Sequence, residues 1–494
     1  MKRIIVLASM GLSLLMTTTS CQEEFLDAAP TETAPSATPQ QKLNGIYIMA
    51  VQTGTGGTNL DHDDFGQKSY DIYGDMLSCD MALEGVTYGW YTGIASTDDQ
   101  VNATSATTLK AWRYYYKVIN AANDVIKDLG GNDAVPTSDE DKQMMGQAKT
   151  LRANAYFYLL QYFTPGFDAT APAIPMYTSP DSPAAPKSTQ QQVYNLIIDD
   201  LTKSIDYLAD FQRANKGMVD ESIAKGILAY AYAAMGRNAE AAVLAKSVIN
   251  DYGYPLTTKA QLVWNADTGL QGGFNDLNTK SWMWGFDIAV VNGLDLVSWW
   301  GQVDRFTYSY ASVGDYKGID KNLYNSISAT DNRKTQFQFS VLIPTNKFYD
   351  PKRVVQGQRQ VTTDYIYMRV DEFYLLAAET LAKSGQEAEA KTIMKKLLDV
   401  RYIDPTPTPV PGANPTVAAL IDPLSGTALQ QEIYKQTRIE LWGEGKSYLA
   451  LKRNRATVTR GDNHFYLKNV TIPYNDPRMY FKIPQREIDD NPNF

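Results

Sequence analysis

Apolar residues recur at three- and four-residue spacings over long stretches of the chain, the period of helices that bury one face. Between Ala106 and Leu129, one such stripe is formed by Leu109, Trp112, Tyr116, Ile119, Asn123 and Ile126. Helical patterning begins near Gln40. A second long helix is predicted to start at Pro136–Glu140, with Ser138 or Thr137 as its cap, and to run to about Tyr162 before Pro165 ends it. The period returns over 190–208 and 222–250. It returns again over 428–453, where Ile433, Thr437, Leu441, Gly445 and Tyr448 share a face and Gly443 and Gly445 allow close packing. Residues 170–187 carry five prolines and read as a connection without regular structure. The segment 479–484 reads as a short extended ledge.

The sequence also echoes itself. Ala229, Ala233, Gly236, Ala239, Glu240 and Ala241 align with Ala378, Ala382, Gly385, Ala388, Glu389 and Ala390 at a constant offset. Each set is a helix, a glycine turn and a second helix, the unit of a tetratricopeptide-like array. Residues 257–363 interrupt that array. They are rich in Gly, Asn, Asp and aromatics, and extended pieces are expected at 336–342 and 363–369. A second irregular insertion, 404–423, contains a proline-rich run. The fold class predicted is therefore mostly α: a scaffold of tetratricopeptide-like helix pairs with long irregular loops and a few short strands packed on it. Residues 41–494 form one body.

The N-terminus reads as an address. Lys2 and Arg3 precede a 13-residue apolar run, Ile4 to Met16, which is too short to span a bilayer and suits a signal peptide over 1–20. Cys21 follows directly and is the expected lipidation site, although Thr18 stands where such a signal usually has Leu. Residues 21–40 then form a flexible tether with Pro30, Pro35 and Pro39. Loss of Lys2 and Arg3 takes the net charge from -9 to -11.

Composition removes several classes of chemistry. With 46 Lys and Arg against 55 Asp and Glu, the chain is not a nucleic-acid binder. Two His and two Cys give no basis for a zinc site or a disulfide framework, and Cys79 reads as a small buried residue. The run Thr53-Gly54-Thr55-Gly56-Gly57 lacks the Gly-Lys-Ser/Thr ending of a phosphate loop. Asp61-His62-Asp63-Asp64 hints at calcium, but Phe65 and Ile72 stand where a calcium loop needs oxygen ligands. No nucleophile elbow occurs, and no catalytic residue, cofactor or metal site is assigned.

Aromatic residues are the informative excess, with 32 Tyr, 16 Phe and 8 Trp. Tyr88, Trp90 and Tyr91 lie in a Gly/Thr-rich loop, and Trp282, Trp284, Trp299, Trp300, Tyr308 and Tyr310 fall in the large insertion. Sugar rings present flat C–H faces that stack on aromatic faces, so these nine residues are the candidate glycan-binding set. Alternation such as Trp282/Trp284 equally suits a strand that buries one face.

Five segments in order resemble the SusD/RagB family of Bacteroidetes surface nutrient-binding lipoproteins. They are Cys21-Gln22-Glu23-Glu24-Phe25-Leu26-Asp27, Leu151 to Leu159 with Tyr162-Phe163, Arg369 to Glu379, Glu440 to Lys446 with Leu451-Lys452-Arg453, and Ile483 to Pro492. Trp442, Lys446 and Tyr448 depart from the family's usual residues. The resemblance implies a helical, tetratricopeptide-like protein, lipid-anchored at the outer membrane and facing the exterior. It also implies a partner, a TonB-dependent transporter of the SusC type, into which a captured oligosaccharide is released with no bond chemistry. Some members of the family serve peptide uptake, which makes capture of peptides or another nutrient the alternative. An anchored assembly protein without a small ligand is a third reading. The shared motifs are scaffold, and binding residues in this family sit in variable loops, so none is carried over.

Overall fold

Thr38 begins the helical body with a reciprocal cap. Its Oγ1 accepts from the Gln41 N–H at 3.3 Å, and the Gln41 side chain accepts from the Thr38 N–H at 2.9 Å. The structure, a computed structural model, describes residues 37–59, 61–267, 272–405 and 414–494. The expected signal peptide, Cys21 and nearly all of the tether lie outside the described residues.

The scaffold consists of α1 (Pro39–Met49), α2 (Gln67–Leu77), α3 (Ala106–Asp128), α4 (Asp139–Phe163), α5 (Gln190–Tyr207), α6 (Glu221–Ala234) and α7 (Asn238–Asp251), followed after the large insertion by α8 (Asp371–Lys383), α9 (Glu387–Asp399), α10 (Gly426–Glu440) and α11 (Ser447–Arg453). From α3 to α9 each helix packs on the next, and α7 bridges the insertion by packing on α8. Ser138 is the cap of α4, donated to by the Asp141 N–H at 3.1 Å, and three acids in the first turn complement the helix dipole. A buried ionic joint ties the first three long helices. Arg152 on α4 grips Asp200 on α5 at 2.8 and 2.7 Å and donates to Asn123 on α3 at 2.8 Å.

The internal echo is a repeat in space. In α6–α7 the Arg237 N–H bonds the Tyr232 carbonyl, and in α8–α9 the Gln386 N–H bonds the Leu381 carbonyl, both at 2.9 Å. Gly236 and Gly385 adopt φ of 76° and 79°, and a Cβ at either would meet nothing within 4 Å. These glycines are therefore required by the left-handed turn, not by close packing.

Two expectations are corrected. Residues 170–187 were read as lacking regular structure, yet β2 (Pro172–Pro175) pairs with β3 (Lys187–Thr189). The predicted helix over 428–453 is broken between α10 and α11, because Gly443 and Gly445 take φ of 78° and 73°. Both glycines also sit where a Cβ would strike a neighbour, Phe348 at 2.6 Å and Asp71 at 2.7 Å. Around the scaffold run short strand pairs: β1 (Met81–Leu83) with β5 (Lys317–Ile319), and β4 (Trp282–Phe286) with β6 (Tyr365–Arg369), both antiparallel. The ledge at 479–484 holds no strand, and a short helix, Gln485–Asp490, follows it.

The insertion is fastened to the scaffold by buried charge. Glu440, at the end of α10, accepts from Arg369 (2.8 Å), Arg401 (2.7 and 2.8 Å) and Arg333 (3.0 Å). Glu444 accepts from Arg369 at 2.7 and 2.9 Å and from Lys347 at 2.8 Å. Asp371 pairs with Arg401, and Asp331 with Arg333 at 2.6 Å. Burial alone would raise the Glu440 carboxyl, but Arg401 and Arg369 beside it hold it well below the usual carboxylate range. Glu440→Gln keeps the shape and leaves the buried cations one carboxylate short. We expect a loss of about 3–5 kcal/mol in urea unfolding; a loss under about 1 kcal/mol would show that the cluster is not a closed ionic unit.

Candidate functional site

The strand pair β1/β5 springs from the scaffold beside this cluster. Asp80, immediately before β1, receives Arg438 of α10 at 2.8 and 2.6 Å, while its carbonyl accepts the Trp442 indole N–H at 2.8 Å. The Asp320 N–H, just past β5, donates to that same carbonyl at 2.8 Å. Met81 lies opposite Ile319 and Leu83 opposite Lys317. The open end of the pair therefore projects two loops, 84–91 and 308–316, side by side.

Glycines set how closely the loops approach. A Cβ on Gly85 would lie 1.9 Å from the Gly314 carbonyl oxygen, and Gly314 itself has φ of 115°. The Tyr88 N–H donates to both carboxylate oxygens of buried Asp315, at 3.0 and 3.3 Å. The second loop is held from behind: the Tyr308 N–H bonds the Gln358 carbonyl at 2.9 Å. Buried Asp304 accepts from the N–H groups of Phe306, Thr307 and Asp350 and from the Thr307 hydroxyl, all between 2.9 and 3.0 Å. Burial nevertheless pushes the Asp304 carboxyl up to about 7.

These constraints gather a ring cluster. His62 stacks on Trp90 with centroids 5.0 Å apart and planes 7° from parallel. Its Nδ1 is hydrogen-bonded to the Tyr310 hydroxyl. Tyr310 meets Tyr88 edge-on at 5.3 Å and Trp90 at 6.4 Å. On the Tyr310 loop, the Tyr308 ring centroid lies 4.5 Å from the Arg359 guanidinium. Tyr88 is 61% exposed and Tyr308 39%, Trp90 is half-buried, and Tyr310 is a backing ring at 5%.

His62 is fixed through its own backbone. Its carbonyl accepts from Gln302 Nε2 at 2.9 Å, and Gln302 Oε1 accepts from Lys317 Nζ at 2.9 Å. Asp61 and Asp63 both bind Lys110 of α3, and Asp64 accepts from the Gly56 N–H and the Thr58 hydroxyl at 2.8 and 2.9 Å. The acidic run that hinted at calcium thus spends its carboxylates on shaping the loop that presents His62.

Of the nine aromatic residues named from sequence, Tyr88, Trp90 and Tyr310 meet here, and Tyr308 lies on the same loop as Tyr310. The other five are corrected to core positions. Trp282 and Trp284 lie on β4, but both faces of that strand are covered: Trp282 packs with Leu277 and Ile366, and Trp284 meets Tyr367 at 5.1 Å. Their indole N–H groups bond the carbonyls of Gly273 and Gly217. Trp299 and Trp300 are each 1% exposed and pack on Phe348, so they plug the scaffold. Tyr91 turns inward because its backbone takes φ of 66°, which places its ring 5.0 Å from Lys317. Sequence reasoning missed His62 and Arg359. A lone histidine in a glycine-rich loop and a lone arginine in an irregular segment carry no spacing that marks them.

Comparison with known proteins identifies the family. A family model described as starch-binding, associating with the outer membrane, matches residues 24–234, and the model of the SusD family matches residues 280–494. The chain belongs to the SusD/RagB family. A SusD-like protein of Bacteroides ovatus is 27% identical over 219 residues, which is 44% of this chain and 37% of that relative's length. A SusD-like carbohydrate binding protein of Bacteroides vulgatus shares the fold at 20% identity, with a TM-score of 0.72 over 92% of this chain and 96% of the other. Surface glycan-binding protein A of Bacteroides thetaiotaomicron, solved in complex with laminarihexaose, shares it at 14% identity, with a TM-score of 0.66 over 92% and 97% of the two chains.

In this SusD-family chain the buried Lys317 gives a pH signature to the site. Burial pushes its ammonium down to about 7, and the nearby Asp315 and Asp63 only partly oppose this. The unfolded chain holds that proton up to about 10.5. Between those values the unfolded state carries more protons, so this group's contribution to stability grows as pH rises and is lost as pH falls through 7. Against Lys317→Met, the wild-type chain should therefore gain stability from pH 7 to pH 10, by an amount on the order of a few kcal/mol in urea unfolding. A difference that stays constant with pH would show that Lys317 titrates alike in both states.

Proposed function

We propose that this chain captures an oligosaccharide at the cell surface and delivers it, chemically unchanged, to a partner TonB-dependent outer-membrane transporter of the SusC type. The reading rests on one observation above the others: Tyr88 and Tyr308 are exposed and Trp90 is half-buried on two adjoining loops whose backbones are fixed from behind. Stacking on a sugar ring needs flat apolar faces already in place, and a pre-ordered platform loses little entropy on binding. Arg359, 4.5 Å from the Tyr308 ring centroid, supplies donors for ligand hydroxyls beside that ring. The carboxylates directly behind the rings, Asp315 and Asp304, are committed to backbone and hydroxyl donors, which favours a holding site over a hydrolytic one. Family membership and a fold shared with a laminarihexaose-bound protein support the same class of ligand.

Attachment through a lipid on Cys21 belongs to this proposal, as does an outward orientation. No helix among the described residues is long and apolar enough to cross a membrane.

Calorimetric titration with neutral oligosaccharides, laminarihexaose among them, tests the reading. We expect saturable binding to at least one. Trp90→Ala and Tyr88→Ala should each weaken it by roughly tenfold or more, with little change in Tm. If Trp90→Ala bound as tightly as the parent, the platform would not be the site. If neither the chain nor its complex with the transporter held any glycan, capture of oligosaccharide would be abandoned.

A further inference from the structure

A second concavity lies away from the aromatic platform, where the turn between α6 and α7 meets the ends of α8 and α11. It encloses about 380 Å3 and is lined by Asp168, Asn238, Lys383, Lys452, Arg453 and Arg455, among others. A cleft of this size is on the scale of a small-ligand site, at the lower end of the ~300–1,000 Å3 range. In a chain of net charge -9, four of the named residues are basic and one is acidic.

The local charges do not cancel. Glu379 accepts from Lys383 at 2.8 Å and from Arg453 at 3.1 Å through each of two nitrogens. Burial alone would raise this carboxyl, but Arg453 and Lys383 bring it down to about 2, so one carboxylate is shared by two cations. The Arg453 side chain is only 4% exposed, its guanidinium lies 5.2 Å from the Tyr230 ring centroid, and its Nη1, without a hydrogen-bond partner among the described residues, is buried behind the wall of the cleft. Lys452 donates to the carbonyls of Gln161 and Thr164, and burial pushes its ammonium down to about 7, so it adds little to the charge of the cleft. Arg455 is exposed on a left-handed backbone, φ 46°, and its guanidinium has no partner among the described residues. Asp168, the acidic lining residue, is turned onto its own loop by Thr170 at 3.0 and 2.9 Å.

We propose that this cleft binds a tetrahedral oxyanion, phosphate or sulfate, carried as an ester on a ring-sized group such as a sugar. Arg455 has no carboxylate partner among the described residues and Lys383 shares Glu379 with Arg453, so a doubly charged oxyanion in the cleft meets uncancelled positive charge and supplies the charge-assisted acceptors that Arg455 lacks. A bare oxyanion would leave most of the volume empty. Phe167 and Tyr474, which also line the cleft, offer apolar faces to the ring that carries it. The site shares none of these residues with the platform of Tyr88, Trp90 and Tyr308.

The test is calorimetry at fixed ionic strength with inorganic phosphate, glucose 6-phosphate, glucose 6-sulfate and glucose. We expect at least one ester to bind saturably, and about tenfold or more tighter than glucose. Arg455→Asn removes the charge while asparagine tolerates the left-handed backbone, so Tm without ligand should hold and ester affinity should fall about fivefold or more. Asn475→Asp, which places a carboxylate at the rim, should weaken binding in the same direction. Trp90→Ala should leave it unchanged. No saturable binding by either ester, or equal ester affinity in Arg455→Asn, would overturn the proposal. Binding of inorganic phosphate with both esters excluded would overturn the assignment of an ester.

Discussion

Glu440 is the residue on which the irregular part of this protein hangs. Its two carboxylate oxygens receive three guanidinium groups, from Arg333, Arg369 and Arg401, in a place without access to water. Removing so many charges from water costs several kcal/mol each, and the cluster tolerates it because four cations face four carboxylates with nearly every donor used. Such an arrangement has little slack. Arg333 and Lys347 belong to the insertion and Arg369 ends β6 just after it, whereas Asp371, Glu440 and Glu444 belong to α8, α10 and the turn after α10. Any slip of the insertion against the helices would strand a charge. The value of the cluster lies as much in fixing one register as in net stability.

The same stretch of chain carries that register outward. Two residues after Glu440, Trp442 donates its indole N–H to the Asp80 carbonyl, and two residues before it, Arg438 grips the Asp80 carboxylate. Asp80 immediately precedes β1, β1 pairs with β5, and the loops of that pair present Tyr88, Trp90 and Tyr310. A few covalent and hydrogen-bonded steps thus connect a buried ionic core to an exposed ring surface. This is how a segment with little regular structure can hold side chains in a defined arrangement: the loops are short of secondary structure but not of constraints.

What could be read from the sequence follows the range of the forces involved. Helices α3 to α9 were legible because their burial follows a local period, and the repeat pair because its small residues and turn glycine recur at a constant offset, from Ala229 and Gly236 to Ala378 and Gly385. The break between α10 and α11 was missed because Gly443 and Gly445 read equally as packing glycines and as turn glycines, and they are both. The ring site was half legible. Tyr88 and Trp90 in a Gly/Thr loop stayed at the surface, but Trp299 and Trp300 did not, since exposure depends on what a distant segment such as Phe348 supplies. His62 lies 248 residues from Tyr310, and no local pattern encodes that contact.

Charge gives a finer criterion than hydrophobicity for where such a scaffold meets its ligands. Arg152, Arg333, Arg369, Arg401 and Arg438 all end on carboxylates, so their hydration is replaced once, at folding. Arg359 and Arg455 are different. One lies over an exposed tyrosine and the other lines a cleft, and neither has a carboxylate partner among the described residues. A guanidinium at such a surface keeps its water until something displaces it, and it rewards only a displacing group that brings its own acceptors. Hydroxyl-rich rings are the ligand class proposed for the first place and an oxyanion for the second. On that proposal the two surfaces select different chemistry on one frame, which has already used Arg152, Arg333, Arg369, Arg401 and Arg438 to hold itself together.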